Sequence, residues 1–391
     1  MNLLKDLLIL FLSLVLLKFF GLFGFQTLNI VILLPFFVLS IRYKSLFKFP
    51  IYLLLLSLIC SMISCNILHN QPFDASMVSY MDYFMIMFYF LLIYLNPSAR
   101  AIEKCLFFLS LSFSLCYIYQ YIVYPKLVFV GEWEDGYGDE EIRIRMIGMC
   151  LASLGIFMGA NKMLMNKRMD ISMFYLCAIG FVLLFLFGFR TLLIIVLIML
   201  LILYYRLMRF SFKSFIRLGI GCLLIYMITL LPFVEQIIDH MLMRNETQNF
   251  YNKDYVRILT FQHFISNHFS TWQEWFFGSG LVNRNLNTSY SLYIQRIESY
   301  GLHYMDLGLL GVSWMTGVLS IIAMTWYVFK AYFTKLSKEY YYLGIWFLFL
   351  FLSSFTTAEF VRPGCFVIQA LVLFLIDKLS FQYNEKSGFN K

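Results

Sequence analysis

The chain has 391 residues, of which 61% are hydrophobic and 13% are charged, and its formal net charge is +8. A soluble domain carries about a quarter of charged residues, so this composition excludes an ordinary soluble protein. The long apolar runs suit membrane-spanning helices, whereas a β-barrel would show short alternating segments. We therefore predict an all-α polytopic membrane protein whose residues 1–391 form a single integral membrane domain.

The apolar runs predict twelve spans. They cover residues 6–22, 27–41, 50–67, 76–95, 105–124, 146–163, 171–188, 191–206, 218–234, 304–328, 340–357 and 364–378. The first run is interpreted as a span and not as a signal peptide, because no small-residue cleavage site follows it and another span begins within a few residues.

The positive charges predict the orientation. Loops on one side carry clusters of Lys and Arg, whereas the short loops 23–26 and 68–75 on the other side carry none. The positive-inside rule then places the N- and C-termini in the cytoplasm. The net charge orients the chain in the membrane and does not indicate nucleic-acid binding.

Two outer segments are longer than a connection requires, namely loop 125–145 and the large loop 235–303. Loops of this length usually carry function or are disordered. The large loop is not disordered by composition, because it holds Trp272, Trp275 and many Phe and Tyr residues. Within the large loop, residues 254–269 predict an amphipathic helix lying on the outer leaflet, with Thr260, His263 and Asn267 on its polar face. Arg257 lies at the border of the two faces, where it could reach a headgroup phosphate. For His263 alone, a solvated surface position is the favoured interpretation.

Basic residues on the two sides differ in type. The outer side is rich in Arg, and the cytoplasmic side is rich in Lys. Orientation does not distinguish the two residues, but a site for phosphate oxygens favours the planar, permanently charged guanidinium. The outer surface therefore predicts an anion site, for which the candidates are Arg143, Arg145, Arg190, Arg257, Arg284 and Arg296. Arg190 stands out because it is the one charged residue between Ile171 and Tyr205. It either faces a polar cavity or extends to the interface, and we favour the cavity.

The stretch from Arg296 to Trp314 supplies candidates for a general base. Glu298, His303 and Asp306 precede Gly308 and Gly311, near the start of a predicted span. A His or Glu at that boundary can accept a proton from a hydroxyl. The alternatives are an interfacial hydrogen-bonding role for His303 and a favourable helix-start charge for Asp306.

Several of these features recur together in the O-antigen polymerase (Wzy-type) and O-antigen ligase group of bacterial surface-polysaccharide membrane proteins, which the chain resembles. They are about twelve spans with one large late loop, Arg190-Thr191 opening a span, Arg257 in a loop helix followed by Gly278-Ser279-Gly280, and Glu298 or His303 before Gly308 and Gly311. The ligase pattern usually has Asn after this His, and here Tyr304 follows His303, which favours the polymerase.

The resemblance implies a GT-C-like membrane glycosyltransferase that acts on a glycan linked through diphosphate to undecaprenol. It would need no metal and no other cofactor. Arg190 and Arg257 would bind the diphosphate, with Arg143 and Arg145 as weaker candidates, and His303 or Glu298 would serve as base. Membrane lipid, a chain-length regulator and a flippase would be partners, and nucleic acid would not. The alternatives are an O-antigen ligase, a flippase of lipid-linked oligosaccharide, and a structural partner of the polysaccharide machinery.

Overall fold

The computed structural model describes residues 2–17, 26–129, 131–133, 144–165, 170–208, 255–267 and 271–388, with isolated positions between 219 and 230. Predicted span 218–234, most of loop 125–145, and the first part of the large loop therefore lie largely outside the described residues. So do Arg143 and residues 254, 268 and 269 of the predicted helix 254–269.

The described chain is almost entirely helical. Its helices are α1 (Asn2–Leu16), α2 (Gln26–Leu39), α3 (Lys48–His69), α4 (Phe73–Ser79), α5 (Met81–Phe84), α6 (Phe88–Leu95), α7 (Ala99–Ile122), α8 (Cys150–Met165), α9 (Ile171–Leu186), α10 (Arg190–Leu207), α11 (Val256–Asn267), α12 (Trp272–Phe277), α13 (Ser289–Ser299), α14 (Leu309–Thr316), α15 (Val318–Phe333), α16 (Tyr341–Thr357) and α17 (Cys365–Gly388). Strands β1 (Gly131–Trp133) and β2 (Ile144–Met146) pair antiparallel, with Glu132 opposite Arg145.

The apolar character of the bundle surface fits a membrane environment. In the described chain, five helices are long and apolar enough to cross a membrane, or six if a bent pair counts as one span. On α10 the exposed residues Ile194, Ile198 and Leu201 form an apolar stripe on the outside of the bundle. Such a stripe is unfavourable in water and suits lipid. The structure thus agrees with an all-α membrane protein, while the number of twelve spans stays a prediction.

Two predicted spans are broken. The run 76–95 is not one straight helix, because Phe73–Ser79 is bent by 64° from Met81–Leu95. The run 304–328 is also interrupted, because Gly317 adopts φ +81° between α14 and α15. Hydropathy averaged over a window does not detect such breaks, because the polar residues beside them, such as Asp82 and Thr316, are outnumbered by apolar residues.

The break at Gly317 is filled by a buried extended segment, residues 278–283. The N–H groups of Ser279 and Gly280 donate to the carbonyls of Trp314 (2.7 Å) and Met315 (2.9 Å). Three hydroxyls from α3 secure the same junction: Ser57 donates to Thr316 O (2.9 Å), Ser61 to Met315 O (2.5 Å) and Ser64 to Gly278 O (2.6 Å). The segment therefore satisfies backbone groups that the helix break leaves without intrahelical partners.

Charged residues lie at the two ends of the bundle. One end is called the arginine end. Helices α3, α7, α9 and α16 finish there, and α8, α10 and α17 begin there. Its arginines are Arg145, Arg190, Arg284, Arg296 and Arg362. At the opposite end, called the lysine end, Lys162 pairs with Glu103 (2.6 Å) and Asn161 donates to Lys338 O (3.2 Å). The carboxylates buried in the described chain are those of Glu274, Glu359 and Asp377. The first two lie at the arginine end and Asp377 lies at the lysine end.

Because the buried segment is closely packed, we expect a Gly→Ala substitution there to cost more stability than one at an open glycine. A Cβ on Gly280 (φ +89°) would overlap the side chain of Cys65, whereas a Cβ on Gly301 (φ +77°) would meet nothing within 4 Å. We expect Gly280→Ala to lower the free energy of unfolding by roughly 2–4 kcal/mol, against about 1 kcal/mol for Gly301→Ala, which carries only the backbone cost. Thermal unfolding of the purified protein in detergent measures both, and equal losses would contradict the packing.

Candidate functional site

A turn between α16 and α17 presents the most concentrated charge of the arginine end. Glu359 opens the turn and is 2% exposed, and the guanidinium of Arg362 forms a close ion pair with its carboxylate. Hydrogen bonds fix the turn from both sides, because Phe360 N donates to Ser354 Oγ (2.8 Å) and Gln369 Nε2 donates to Phe360 O (2.7 Å). The carboxylate is therefore held in place and does not sample solvent.

Arg362 connects this turn to two other parts of the chain. Its guanidinium donates to the sulfur of Met149 (3.5 Å), just before α8, and lies over the ring of Phe189 (5.1 Å), just before α10. Arg145, exposed on β2, acts electrostatically on the same Glu359 carboxylate. The Glu359 cluster, defined as Arg145, Glu359 and Arg362, thus joins three connections that are distant in sequence.

Burial and the arginines act on Glu359 in opposite directions. Burial raises the pKa of the Glu359 carboxyl above its usual value, while Arg362 and Arg145 lower it, and the net direction is upward. Guanidinium groups are also the side chains best suited to bind phosphate oxygens.

Arg190 is the first residue of α10 and is half-buried. Its neighbour Phe189 is the ring that Arg362 covers, so the backbone of Arg190 adjoins the Glu359 cluster. Of the four arginines predicted to bind a diphosphate, the structure therefore brings Arg145 and Arg190 to one side of the arginine end. Arg143 lies outside the described residues.

A second charged group forms where α13 meets the turn Tyr304–Leu307. Arg284 Nη2 and Glu298 Oε1 lie 2.5 Å apart, and the side chain of Glu298 is only 14% exposed. Tyr304 is buried beside this pair, with its ring 5.2 Å from that of Trp314. Glu298, predicted as a base, is therefore committed to an ion pair with Arg284.

His303 immediately precedes this turn and is exposed. Among the described residues, its side chain makes no hydrogen bond, ion pair or ring contact. Asp306 is half-buried and its backbone N–H donates to His303 O (3.0 Å). The imidazole of His303 is thus open to a ligand approaching the arginine end. Arg296, on the outer side of α13, is also exposed and has no described side-chain partner.

Helix α11 packs on the turn Tyr304–Leu307 and buries Thr260 and Phe264. Phe261 is 48% exposed, whereas Ile265 packs half-buried against the core, so the observed packing does not follow the predicted apolar and polar faces. His263 lies within reach of Asn267 (3.2 Å) and of the Tyr293 hydroxyl (3.4 Å), which links α11 to α13. Arg257 is half-buried, and the structure gives it no polar contact with another described residue.

The Glu359 cluster and the Arg284–Glu298 ion pair lie on either side of the end of α16. A Cβ on Gly308 would overlap Ser354 O, and the hydroxyl of Ser354 holds the turn that carries Glu359. The Tyr304 turn and the Glu359 turn therefore pack on the same few residues. In the described parts of the chain, no group of three or more His, Cys, Asp or Glu residues is placed to hold a metal ion.

The prediction from sequence missed Glu359 and the pair His69–Glu274. His69 stacks on Tyr290 with ring centroids 4.0 Å apart and approaches Glu274 at 4.0 Å. Glu274 also caps α12 through Thr271 and accepts from Ser279 Oγ (3.2 Å), so this pair supports the buried segment. For Glu359 a signal existed: an acid three residues before an arginine, in a short polar connection between two apolar runs.

Because Glu359 is buried and paired with Arg362, we expect the variant Arg362→Ala to lose stability in a pH-dependent way. Without this guanidinium the raised pKa of Glu359 rises further. The folded protein then holds a proton that the unfolded chain releases, so stability falls as pH increases above the usual value of 4.5. We expect a larger drop in unfolding temperature at about pH 8 than at about pH 5.

The double variant Glu359→Gln/Arg362→Ala is the control, because it has no titrating carboxyl at this position. It should lose the same stability at both pH values. An equal loss at both pH values in Arg362→Ala itself would contradict a buried, ion-paired Glu359.

Comparison of the chain with protein-family models, curated proteins and solved structures found no match. The assignment of a function therefore depends on the residues of the arginine end and on the sequence resemblance described above.

Proposed function

We propose that the protein is a surface-polysaccharide polymerase of a bacterial inner membrane. In this proposal it spans the membrane twelve times in a GT-C-like arrangement, with the arginine end in the periplasm. It transfers a glycan from undecaprenyl diphosphate to a sugar hydroxyl of another lipid-linked repeat unit. The observation that supports this best is the convergence of Arg145 and Arg362 on Glu359, beside the start of α10 at Arg190.

The proposed reaction matches what arginines can do without a metal. The acceptor hydroxyl oxygen attacks the anomeric carbon, a C–O bond forms, and the bond from that carbon to the diphosphate oxygen breaks with its electron pair leaving on the diphosphate. Fixed guanidinium groups stabilise the charge that develops on this leaving group. Arg145, Arg190 and Arg362 are the proposed ligands, and Arg257 lies on the neighbouring α11.

The acceptor proton needs a base, and we assign this role to His303. Its exposed imidazole is open to a ligand, whereas the carboxylate of Glu298 is already paired with Arg284. The Glu298 oxygen that contacts Arg284 is not available to a substrate hydroxyl. Glu298 is then a positioning residue that holds the turn before His303.

The depth of the charged groups favours an enzyme over a flippase. A carrier would place polar or charged groups near the middle of the membrane. In the described residues the buried carboxylates lie at the ends of the bundle, and polar side chains within α3 and α15, such as Ser57, Ser61 and Ser320, are hydrogen-bonded to backbone carbonyls.

The first test is the surface glycan of a deletion strain, separated on a gel after complementation. We expect the deletion strain to show lipid core with a single repeat unit and the wild-type gene to restore the ladder. Arg190→Ala and Arg145→Ala should each restore less than about a tenth of the ladder, because each removes one group that stabilises the transition state. Lys126→Ala is the matched control, because it removes an exposed cation at the same end.

Other outcomes identify other functions. Core without any repeat unit, together with polymer accumulating on the lipid carrier, would indicate a ligase. Lipid-linked single units accumulating at the cytoplasmic side would indicate a flippase. Full ladders from both arginine variants, expressed at wild-type level, would exclude these arginines from the site.

The base assignment makes a separate prediction. His303→Ala should reduce polymerisation by roughly 100-fold or more, the range for removal of a general base. Glu298→Gln, which keeps the shape of the side chain, should reduce it less and should also lower the unfolding temperature. The rate of polymer formation from purified lipid-linked repeat unit measures both, and a wild-type rate in His303→Ala would contradict the assignment.

A further inference from the structure

A cavity of about 180 Å³ opens at the lysine end, far from the groups discussed so far. It lies where α10 and α15 finish and α16 begins. The residues that line it include Arg206, Tyr332, Phe333, Lys335, Tyr341 and Gly344. Two of these are cationic and none is acidic, so the cavity is suited to a negatively charged group.

Aromatic rings fix the orientation of Arg206. Its guanidinium carbon lies 4.2 Å from the centre of the Tyr332 ring and 5.5 Å from that of Tyr341. Stacking engages the faces of a guanidinium and leaves its N–H edge available for an acceptor. Among the described residues, no carboxylate forms an ion pair with Arg206 or with Lys335.

The backbone around the cavity brings its walls close together. Helix α16 continues from a 3-10 turn at Lys338–Tyr340, and both Tyr341 and Gly344 from its first turn line the cavity. Gly344 lets α16 approach closely, since a Cβ there would lie 3.1 Å from Tyr332 Cα.

The volume of the cavity and the exposed rings beside it indicate the class of ligand. Its volume suits a phosphate ester and is too small for a lipid-linked oligosaccharide. Phe333, at the rim, is 68% exposed, and Phe329 one turn earlier on α15 is 40% exposed. These rings offer an apolar surface beside a cationic cavity. A phospholipid has the complementary features, an anionic phosphate beside apolar acyl chains.

We propose that this cavity binds a phosphate ester through Arg206 and Lys335. Its position at the end of apolar helices makes the headgroup of an acidic phospholipid the source that fits best. The site is separate from the arginine end and does not depend on the function proposed there. Basic pockets between helices at a cytoplasmic face are suited to such headgroups.

Native mass spectrometry of the purified full chain in detergent tests this site. Phosphatidylglycerol, phosphatidylcholine and inorganic phosphate are added separately to wild type, Arg206→Gln and Arg100→Gln. Glutamine keeps a planar side chain over the rings, and Arg100 is an exposed arginine at the same end outside the cavity. We expect phosphatidylglycerol binding to fall about five-fold in Arg206→Gln, as for loss of one cationic contact, and to be unchanged in Arg100→Gln.

The outcomes separate the two sources of phosphate. Binding of phosphatidylglycerol that inorganic phosphate does not displace supports the lipid headgroup. Arg206-dependent binding of inorganic phosphate without the lipid supports the site with a soluble ligand. Equal losses in both variants, or equal binding of phosphatidylcholine, would overturn the proposal. Unfolding temperatures without lipid show that each variant is folded.

Discussion

The structure depends on the requirement that backbone groups in an apolar surrounding find hydrogen-bond partners. The helix break at Gly317 frees the carbonyls of Trp314, Met315 and Thr316, and no water is at hand inside an apolar bundle. The extended segment 278–283 and the serines of α3 meet this requirement together. Gly278 and Gly317 are needed because the backbones approach too closely for a Cβ, and Gly280 because a Cβ there would overlap the side chain of Cys65. A loop is thereby anchored inside the bundle by main-chain contacts.

This anchoring determines where the chemistry of the arginine end lies. From the buried segment the chain leaves directly at Arg284, continues through α13 to Glu298, and returns at His303 to the end of α16. The same end of α16 carries the turn with Glu359 and Arg362. Two charged groups from distant parts of the sequence are therefore held against one helix terminus, and Tyr290 and His69 stack beside the anchor. The rigidity of the site comes from buried polar contacts, while its outer surface stays open.

The helical membrane character of the chain follows from hydropathy, since a run of apolar residues is a local property. The helix breaks do not follow, because 76–95 and 304–328 remain apolar on average across the bend. Glu359 could not be recognised as buried, because its burial arises from Phe360, Ser354 and Gln369 fixing one turn in three dimensions. Similarly, the pattern Gly278-Ser279-Gly280 indicates a helix end, but only the folded chain shows that its amides complete a helix about thirty-five residues later.

The serines of α3 have a consequence for the order in which the protein is built. Ser57, Ser61 and Ser64 bond to carbonyls that are 259, 254 and 214 residues away in the chain. During synthesis, α3 is inserted long before those partners leave the ribosome. Its hydroxyls must bond to carbonyls of their own helix in the meantime, a pairing that serine supports. The final exchange of partners can occur only once α14 and α15 have been inserted, so the core of this bundle closes as one of the last steps of assembly.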